Sequence, residues 1–353
     1  MSSVQSLRLE YLTPAESRSE GWHGVLGAAA FEAGARVLNG AGIDFPLAHV
    51  HAPVLNDARE MVEVWRAGGR AQPGSHGRVR YARDGDFLFG SLAVHEAEVT
   101  GSAEPVGGGS RLRTPLEIAT DLAYREMYAA VAAAGNPQLL RIWNYIPDIN
   151  LDTHGLERYR QFNTARHEAS LACGRAVAGN VPAASALGAA AGSPLTIYFL
   201  ASRRAPAFIE NPRQVSAYRY PAQYGPRSPA FSRATVLGAG SEAMLFVSGT
   251  ASIVGHRTLH AGDPAAQTRE TLANIEALLE EAARRTGTEE LRLDALAYKV
   301  YVRDPKDLPV IRVELESALG PEAALLFLKA DICRRDLAVE IEAVGGGGGR
   351  SSA

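Results

Sequence analysis

EAMLFVSGTASIVG, residues 242–255, is an apolar run typical of a strand, and PAAQTRETLANIEALLEEAARRTG, residues 264–287, follows it with the periodicity of an amphipathic helix. A second strand at 291–304 (LRLDALAYKVYVRD), a second helix at 307–320 (DLPVIRVELESALG) and strands within 324–344 complete the segment. The order of elements is therefore β-α-β-α-β. This order is typical of a sheet that carries its helices on one face.

The same order occurs once before, about 150 residues earlier in the chain. This copy comprises a strand at 84–96, a flexible glycine-rich loop at 101–109, a helix at 114–135, a strand at 139–149, a helix at 156–172 and strands within 196–212. Upstream of it, LRLEYL and HGVLGAAAF predict short strands, LNDAREMVEVWRA (55–67) predicts a helix, and residues 72–77 predict a polar turn. The first segment therefore reads as a degenerate third copy.

We predict a mixed α/β (α+β) fold built from repeated β-α-β-α-β units. The predicted domains are residues 1–80, 81–229 and 230–344, followed by a disordered glycine-rich tail at 345–353. A sheet with helices on one face has to cover its other face against a neighbouring unit. Three such units predict a pseudo-threefold arrangement, with the ligand cleft between units.

The composition is that of a globular protein, with 46% hydrophobic residues, 21% charged residues and a net charge of −3. This charge, without a second basic patch, argues against nucleic acid as a ligand. No apolar run reaches the roughly 18 residues of a membrane-spanning helix, and MSSVQSLRLEYL shows no signal-peptide pattern. The two cysteines, Cys173 and Cys333, form no disulfide framework. We therefore expect a cytoplasmic protein.

Residues 208–233, FIENPRQVSAYRYPAQYGPRSPAFSR, interleave arginines and aromatic residues on a proline-stiffened loop. Arginine binds carboxylates through two parallel hydrogen bonds, and aromatic rings cover an apolar ligand face. The composition favours a small, flat dicarboxylate as the ligand. A basic surface loop between two domains has the same composition, so both interpretations stay open at this point.

The last unit resembles the RidA/YjgF family through LFVSGTASI, AAQTRETLANIEALLEEA and the terminal AVEIEAV, over residues 230–344. The acidic residue that this family carries on its final strand matches Glu340. The imine deaminases of the family carry an arginine about fifteen residues earlier, where this chain has Leu325. The resemblance therefore implies the fold and an acidic role for Glu340. The missing arginine argues against imine deamination.

Nearly the whole chain resembles the chorismatases, through ENPRQVSAYRYPAQYGPRSPAFSRA, RYRQFNTARHE, SGTASIVGH and ICRRDLAVEIEAV. This resemblance implies a monomeric enzyme without a cofactor, on a pseudo-threefold RidA-like scaffold, that splits chorismate into pyruvate and a cyclic acid. One branch of the family is a hydrolase and the other is a 3-hydroxybenzoate synthase. The synthase branch carries a cysteine seven residues before the catalytic glutamate, and Cys333 and Glu340 have this spacing.

The catalytic candidates are Glu340 and Cys333. Cleavage of an enol ether begins with protonation of its methylene carbon, and apolar neighbours on the strand would keep a carboxyl protonated. Glu342 lies on the same strand face, so alternation alone does not separate the two glutamates, and the matching family position selects Glu340. Cys333 is expected to steer the product, with a small buried hydrophobe as the alternative role.

Substrate-binding candidates supply cations, aromatic cover and close backbone approach for a ligand with two carboxylates. They are Tyr159, Arg166, Arg213, Tyr218, Arg227, Gly249 and Ala251.

The leading hypothesis is cleavage of chorismate to 3-hydroxybenzoate and pyruvate. One alternative is hydrolysis to trans-3,4-dihydroxycyclohexa-1,5-diene carboxylate and pyruvate, and another is a non-catalytic RidA-like protein that binds small ligands. No metal cluster, dinucleotide fingerprint or nucleophile elbow is evident in the sequence, so no metal or other cofactor is predicted.

Overall fold

Three β-sheets of four or more strands and four long helices make up the described part of the chain, which confirms the mixed α/β class. The structure is a computed structural model and describes residues 7–13, 15–16, 21–32, 43–58, 60–99, 112–287 and 291–346. The predicted loop at 101–109 and residues 347–353 of the predicted tail lie outside the described residues. Gly345 and Gly346, which also belong to the predicted tail, end the last strand instead.

The N-terminal sheet contains β1 (Leu7–Leu12), β2 (Val25–Phe31), β3 (Leu47–Val50) and β4 (Val62–Ala67), in the order β1-β4-β2-β3. The predicted helix at 55–67 is wrong, because its second half forms β4. As an interior strand, β4 is buried on both faces, so that Val64 and Trp65 are equally inaccessible. Such a strand loses the polar–apolar alternation by which a strand is recognised in a sequence.

The middle sheet contains β5 (Gln72–His76), β6 (Val79–Arg83), β7 (Phe87–Val94), β8 (Gln138–Pro147), β11 (Ala183–Ala189) and β12 (Leu195–Ser202). Its order is β11-β8-β12-β7-β6-β5, and a small hairpin of β9 (Asp152–Thr153) and β10 (Leu156–Glu157) lies apart from it. The predicted polar turn at 72–77 is wrong, since Gln72–His76 pair with β6 as an exposed edge strand. The prediction also missed β11, whose sequence AASALGA has no β-branched or aromatic residue.

The C-terminal sheet contains β13 (Ala207–Ile209), β14 (Ala234–Leu237), β15 (Met244–Ala251), β18 (Ala297–Val302), β19 (Ala324–Lys329) and β20 (Val339–Gly346). Its order is β13-β14-β15-β20-β18-β19, and β16 (Ile253–Val254) pairs separately with β17 (Arg257–Thr258). Two strands pair across the predicted domain boundaries. β5 belongs to the predicted first domain but lies in the middle sheet, and β13 belongs to the predicted middle domain but lies in the C-terminal sheet. The boundaries themselves stay a prediction.

One strand order recurs in all three sheets: β3-β2-β4-β1, β11-β8-β12-β7 and β19-β18-β20-β15. The first two strands of each series are parallel, and the other neighbours are antiparallel. The repeat inferred from the sequence therefore exists as a repeated topology. The pseudo-threefold arrangement of the units stays a prediction.

Four helices cover the outer faces of the two larger sheets, namely α1 (Pro115–Ala133), α2 (Arg158–Ala172), α3 (Pro264–Thr286) and α4 (Leu308–Leu319). Thr114 begins α1 through a capping box with Glu117, and Asp263 caps α3, with a proline at the first position of both helices. The inner faces of the three sheets share one apolar core, which includes Trp65, Trp143 and Phe246. Each sheet thus buries its second face against the other two, as predicted.

A buried ammonium lies where the three sheets meet. Lys299 of β18 is 1% exposed, and it forms ion pairs with Glu63 of β4 and, at 2.9 Å, with Glu342 of β20. It also donates a 2.9 Å hydrogen bond to the Tyr198 hydroxyl of β12. Burial opposes the charge, but the two carboxylates outweigh it and hold the pKa of Lys299 above its usual value. The partners lie on the corresponding interior strands β4, β12 and β20.

Lys299→Met should destabilise the protein by about 3–5 kcal/mol, because it leaves the buried carboxylates of Glu63 and Glu342 without their shared cation. The measurement is the free energy of unfolding from urea titration. Lys306→Met is the matched control, since Lys306 is exposed and pairs with Asp304 at the surface, and it should change stability by about 0–1 kcal/mol. Equal stability of the two variants would contradict the structural role of Lys299.

Candidate active site

A cleft of about 450 Å³ opens between elements of the middle and C-terminal units. It is lined by Asp152, Glu157, Tyr159, Arg160, Tyr220, Tyr224, Pro229, Phe231, Arg233, Gly249, Ala251, Ile253, Cys333, Arg334, Arg335, Asp336 and Glu340. A smaller cavity of about 30 Å³ adjoins it and is lined by Tyr159, Arg166, Ala184, Ser185, Ala186, Phe231, Gly249, Cys333 and Glu340. Both spaces share five lining residues, namely Tyr159, Phe231, Gly249, Cys333 and Glu340.

An irregularity in β15 brings the backbone against the Glu340 carboxyl group. The register between β15 and β20 shifts between Val247 and Thr250, as in a β-bulge, and Gly249 lies inside this shift. A Cβ atom at Gly249 would lie 1.9 Å from Oε1 of Glu340 and 3.0 Å from Oγ of Ser185. A glycine is therefore required here by the close approach of the acid, not by the backbone conformation.

Glu342 is held by five donors and is ionised. Its oxygens accept hydrogen bonds from the Arg141 guanidinium at 2.8 Å, Ser185 Oγ at 2.8 Å, Trp143 Nε1 at 2.6 Å and Tyr301 OH at 3.1 Å, in addition to the Lys299 pair. Burial alone would raise its pKa. The positive charges of Lys299 and Arg141 outweigh burial and hold the pKa of Glu342 below its usual value.

Glu340, two residues earlier on the same strand face, has the opposite surroundings. The residue is 4% exposed, and burial first and the negative charge of Glu342 second raise its pKa to about 8. Arg141, Arg303 and Arg233 act against this shift without cancelling it. Glu340 is therefore a protonated carboxylic acid at neutral pH that faces the cleft. The surroundings move the pKa values of the two carboxyl groups in opposite directions. Glu340 therefore has the properties of an acid, and Glu342 those of a fixed negative charge.

The thiol of Cys333 lies beside this acid, with its sulfur 3.9 Å from Oε2 of Glu340. Burial, and then the neighbouring Glu340, raise the pKa of the thiol to about 12. Cys333 therefore stays a neutral thiol and is no activated nucleophile. The loop between β19 and β20 leaves the strand conformation, and this is how a residue seven positions away comes into contact with Glu340.

Two side chains from other elements fix that loop. Arg303 donates to the carbonyls of Leu337 and Arg334, both at 2.7 Å, and to the carbonyl of Ile332 at 3.1 Å. Gln267 of α3 donates to the carbonyl of Asp336 at 2.8 Å and accepts from the amide of Ala338 at 2.7 Å. The position of Cys333 is therefore set by backbone contacts on both sides of it.

Arginines with unused donors supply the cationic wall of the cleft. The guanidinium of Arg334 stacks over Tyr224 at 4.2 Å, and its Nη1 donates to the carbonyl of His256 at 3.0 Å. Arg233 donates to the carbonyl of Val215 and to the Tyr220 hydroxyl. In the described part of the chain, the buried Nη2 of Arg334 and Nε of Arg233 have no hydrogen-bond partner. Buried donors of this kind are available to a ligand carboxylate.

The structure brings six of the predicted residues together. Glu340, Cys333, Tyr159, Gly249 and Ala251 line the cleft, and Arg166 lines the small cavity, where it also donates to Asn163 at 2.7 Å.

Three predicted substrate-binding residues lie elsewhere. Arg213 donates to Asn274 at 2.7 Å and pairs with Glu270 at 2.5 Å, Tyr218 lines a different surface groove beside Arg285, and Arg227 is exposed. None of the three lines the cleft or the small cavity formed by the described residues. The ion pair with Glu270 already uses the donors that the sequence analysis assigned to a ligand.

The predicted site does not include the lining residues Arg334, Arg233, Tyr220, Tyr224 and Ser185. The loop 208–233 was recognised as arginine- and tyrosine-rich, but its composition gives no indication of which side chains turn inward. Arg334 follows Cys333 directly, and this adjacency was the available signal. Ser185 had none, because its strand was missed.

The fold and cleft together define a mixed α/β protein with repeated sheets and a buried acid at a unit boundary. A family model described as Chorismatase FkbO/Hyg5-like, N-terminal, matches residues 63–201. A 3-hydroxybenzoate synthase of Streptomyces hygroscopicus is 38% identical over 300 residues, which cover 82% of this chain and 83% of that protein. A chorismatase of Streptomyces rapamycinicus is 39% identical over 308 residues, covering 85% of this chain and 86% of that protein.

A crystal structure of a chorismatase superposes with a TM-score of 0.83 at 32% identity, covering 98% of this chain and 100% of that one. The chain belongs to the chorismatase family. The predicted family and the mixed α/β fold class are thereby confirmed. No helix among the described residues is long and apolar enough to cross a membrane. The described part of the chain contains no group of three or more potential metal ligands, and the absence of a cofactor stays a prediction.

The Glu340 carboxyl should titrate near pH 8, and it should therefore be protonated at pH 7, because burial and Glu342 raise its pKa to about 8. Infrared difference spectra between pH 6 and about pH 10 measure the carbonyl band of the protonated acid. Glu340→Gln should remove this band, and Asp336→Asn, a change at the exposed rim of the cleft, should leave it. A band that disappears near the ordinary carboxyl pKa would contradict the assignment.

Proposed function

We propose that the protein cleaves chorismate to 3-hydroxybenzoate and pyruvate, with Glu340 as the acid. The observation that carries the proposal is the buried, protonated Glu340 beside the neutral Cys333 in a cleft lined by arginines. Relatives named 3-hydroxybenzoate synthase and chorismatase support the same substrate. Each of them aligns with more than four fifths of this chain.

Chorismate carries a ring carboxylate and an enolpyruvyl carboxylate, so its site needs separated cations. Arg334 and Arg233 offer unused donors in the main cleft, and Arg166 offers a third in the small cavity beside Tyr159. Tyr220, Tyr224 and Phe231 supply aromatic cover between them. In this arrangement one carboxylate of chorismate binds at the cleft wall and the other binds in the small cavity. The enol ether then lies near Glu340.

Glu340 transfers its proton to the methylene carbon of the enol ether, which forms a C–H bond and leaves an oxocarbenium ion. A carboxylic acid with a pKa of about 8 is protonated at neutral pH, so it is ready to act as a general acid. The carboxylate formed in this step stabilises the cation and then takes the proton from the attacking hydroxyl group. Glu340 is thereby regenerated as an acid within one turnover.

The attacking group decides the product. Attack by the neighbouring ring hydroxyl, followed by rearrangement and aromatisation, gives 3-hydroxybenzoate and pyruvate, whose atoms add up to those of chorismate. Attack by water consumes one water molecule and gives the dihydrodiol acid. The thiol of Cys333 lies next to Glu340, where it occupies space that an attacking water would need. This contact favours the aromatic route.

Three further properties belong to the same proposal. The enzyme acts without a metal or other cofactor, because the acid step above needs only Glu340. It is a monomer, because its three sheets already cover one another's inner faces. It works in the cytoplasm, where free cysteines such as Cys173 and Cys333 persist.

Incubation of the purified protein with chorismate should yield pyruvate and 3-hydroxybenzoate in equal amounts, detected by mass spectrometry. Glu340→Gln should lower turnover by at least tenfold, equivalent to about 1.4 kcal/mol of barrier, since an amide cannot donate the proton. Glu322→Gln is the matched control, since Glu322 is exposed and lines neither the cleft nor the small cavity, and it should keep most of the activity. Full turnover by Glu340→Gln would show that another group is the acid, and the absence of any product from the wild type would favour a non-catalytic binding protein.

Cys333→Ala should shift the product from 3-hydroxybenzoate toward the dihydrodiol acid while pyruvate release continues, because the smaller side chain admits water beside Glu340. A tenfold change in product ratio needs only about 1.4 kcal/mol between two competing transition states. Cys173→Ala, at the end of α2, is the matched control and should leave the ratio unchanged. An unchanged ratio in Cys333→Ala would assign Cys333 a packing role.

A further inference from the structure

The buried ion cluster at the centre of the three sheets extends to the candidate acid. Glu342, which accepts from five donors in this cluster, lies two residues from Glu340 on the same strand face, about 7 Å away along the strand. Ser185 connects the two positions, because its Oγ donates to Glu342 at 2.8 Å and accepts from the amide of Gly249 at 2.9 Å. Gly249 in turn lies against the Glu340 carboxyl.

Charged and titratable groups face Glu340 from every element packed against it. Glu342 lies on its own strand, Arg141 on β8, Arg303 at the end of β18, Arg233 before β14, Cys333 and Arg334 on the loop after β19, and Tyr159 and Arg166 on α2. The arginines among these groups are permanent cations, and each favours loss of the proton from Glu340. Burial opposes that loss, and a negative charge nearby adds to burial in keeping the proton on Glu340.

Glu342 supplies a negative charge beside Glu340, and it belongs to a cluster in which two carboxylates balance two cations. Glu63 and Glu342 pair with Lys299, and Glu342 also pairs with Arg141. All four side chains are at most 4% exposed, so water screens their charges little. Without Glu63, the charge of Lys299 would fall on Glu342 alone, and the field at Glu340 would become more positive.

We propose that Glu342 and Glu63, neither of which lines the cleft, are positioning residues whose negative charges keep the proton on Glu340. The N-terminal sheet, which contributes no residue to the lining of the cleft, thereby takes part in setting the strength of the acid through Glu63. The catalytic consequence rests on the proposed function, whereas the effect on Glu340 itself does not.

Glu63→Gln removes one negative charge and keeps the shape of the side chain. The midpoint for loss of the Glu340 proton should fall by roughly one pH unit, because less negative charge then opposes the buried cations. The alkaline limb of the pH profile for pyruvate release should move by the same amount, so that activity is lost at lower pH. The double variant Glu63→Gln with Lys299→Met removes one charge of each sign and should return the midpoint toward that of the wild type.

Tyr198→Phe is the matched control. It removes a hydrogen bond to the same Lys299 ammonium without changing any charge, so the midpoint should stay where it is in the wild type. A general loosening of the cluster would shift both Tyr198→Phe and Glu63→Gln. A charge effect shifts only Glu63→Gln.

Infrared difference titration of the Glu340 band is the deciding measurement, since it needs no chorismate. A wild-type protein that turns over no chorismate but shows the shifted midpoint in Glu63→Gln would overturn the proposed function and support this inference. A folded Glu63→Gln with an unchanged midpoint, or one that shifts no further than Tyr198→Phe, would overturn the inference. If Glu63→Gln does not fold, Glu342→Gln replaces it, and the midpoint for loss of the Glu340 proton should fall in this variant too. An unchanged midpoint in Glu342→Gln would likewise overturn the inference.

Discussion

The ion pair between Lys299 and its two glutamates is the contact on which the rest of the structure depends. An ammonium in a core of tryptophan and tyrosine rings costs several kcal/mol unless its partners are in place. Here those partners come from β4 and β20, and a tyrosine from β12 adds a hydrogen bond. The charge is therefore tolerated only when all three sheets are docked in one register.

The same cluster explains why two glutamates on one strand have different chemistry. Glu342 points among cations and neutral donors, which hold it as an anion, whereas Glu340 points into the cleft with a neutral thiol as its contact. The negative charge of Glu342 opposes the loss of a proton from Glu340. One strand thus carries both a structural charge and an acid, and their separation along the chain is only two residues.

The cleft itself depends on interruptions of regular structure beside the two central strands of the C-terminal sheet, β15 and β20. The shift in β15 leaves Gly249 against Glu340, and the loop before β20 returns Cys333 to the same carboxyl. Arg303 and Gln267 hold that loop by its backbone. These two irregularities bring Gly249 and Cys333 to the same carboxyl group, where both line the cleft.

The sequence by itself determined the repeated β-α-β-α-β order, because helix and strand periods depend on the burial of one face, and this pattern is local. It also indicated Glu340, Cys333, Tyr159 and Gly249 as site candidates, through family motifs that are contiguous in the chain, and their roles stay predictions. Only the tertiary structure decided that Val62–Ala67 form a strand, since an interior strand buried on both faces has no alternation. The tertiary structure alone also decided which arginines face the cleft. Arg213 pairs with Glu270, which is distant in the sequence, and Arg334 lies over Tyr224, and neither contact has a local signature. Long-range ion pairs of this kind select among residues that the sequence presents as equivalent.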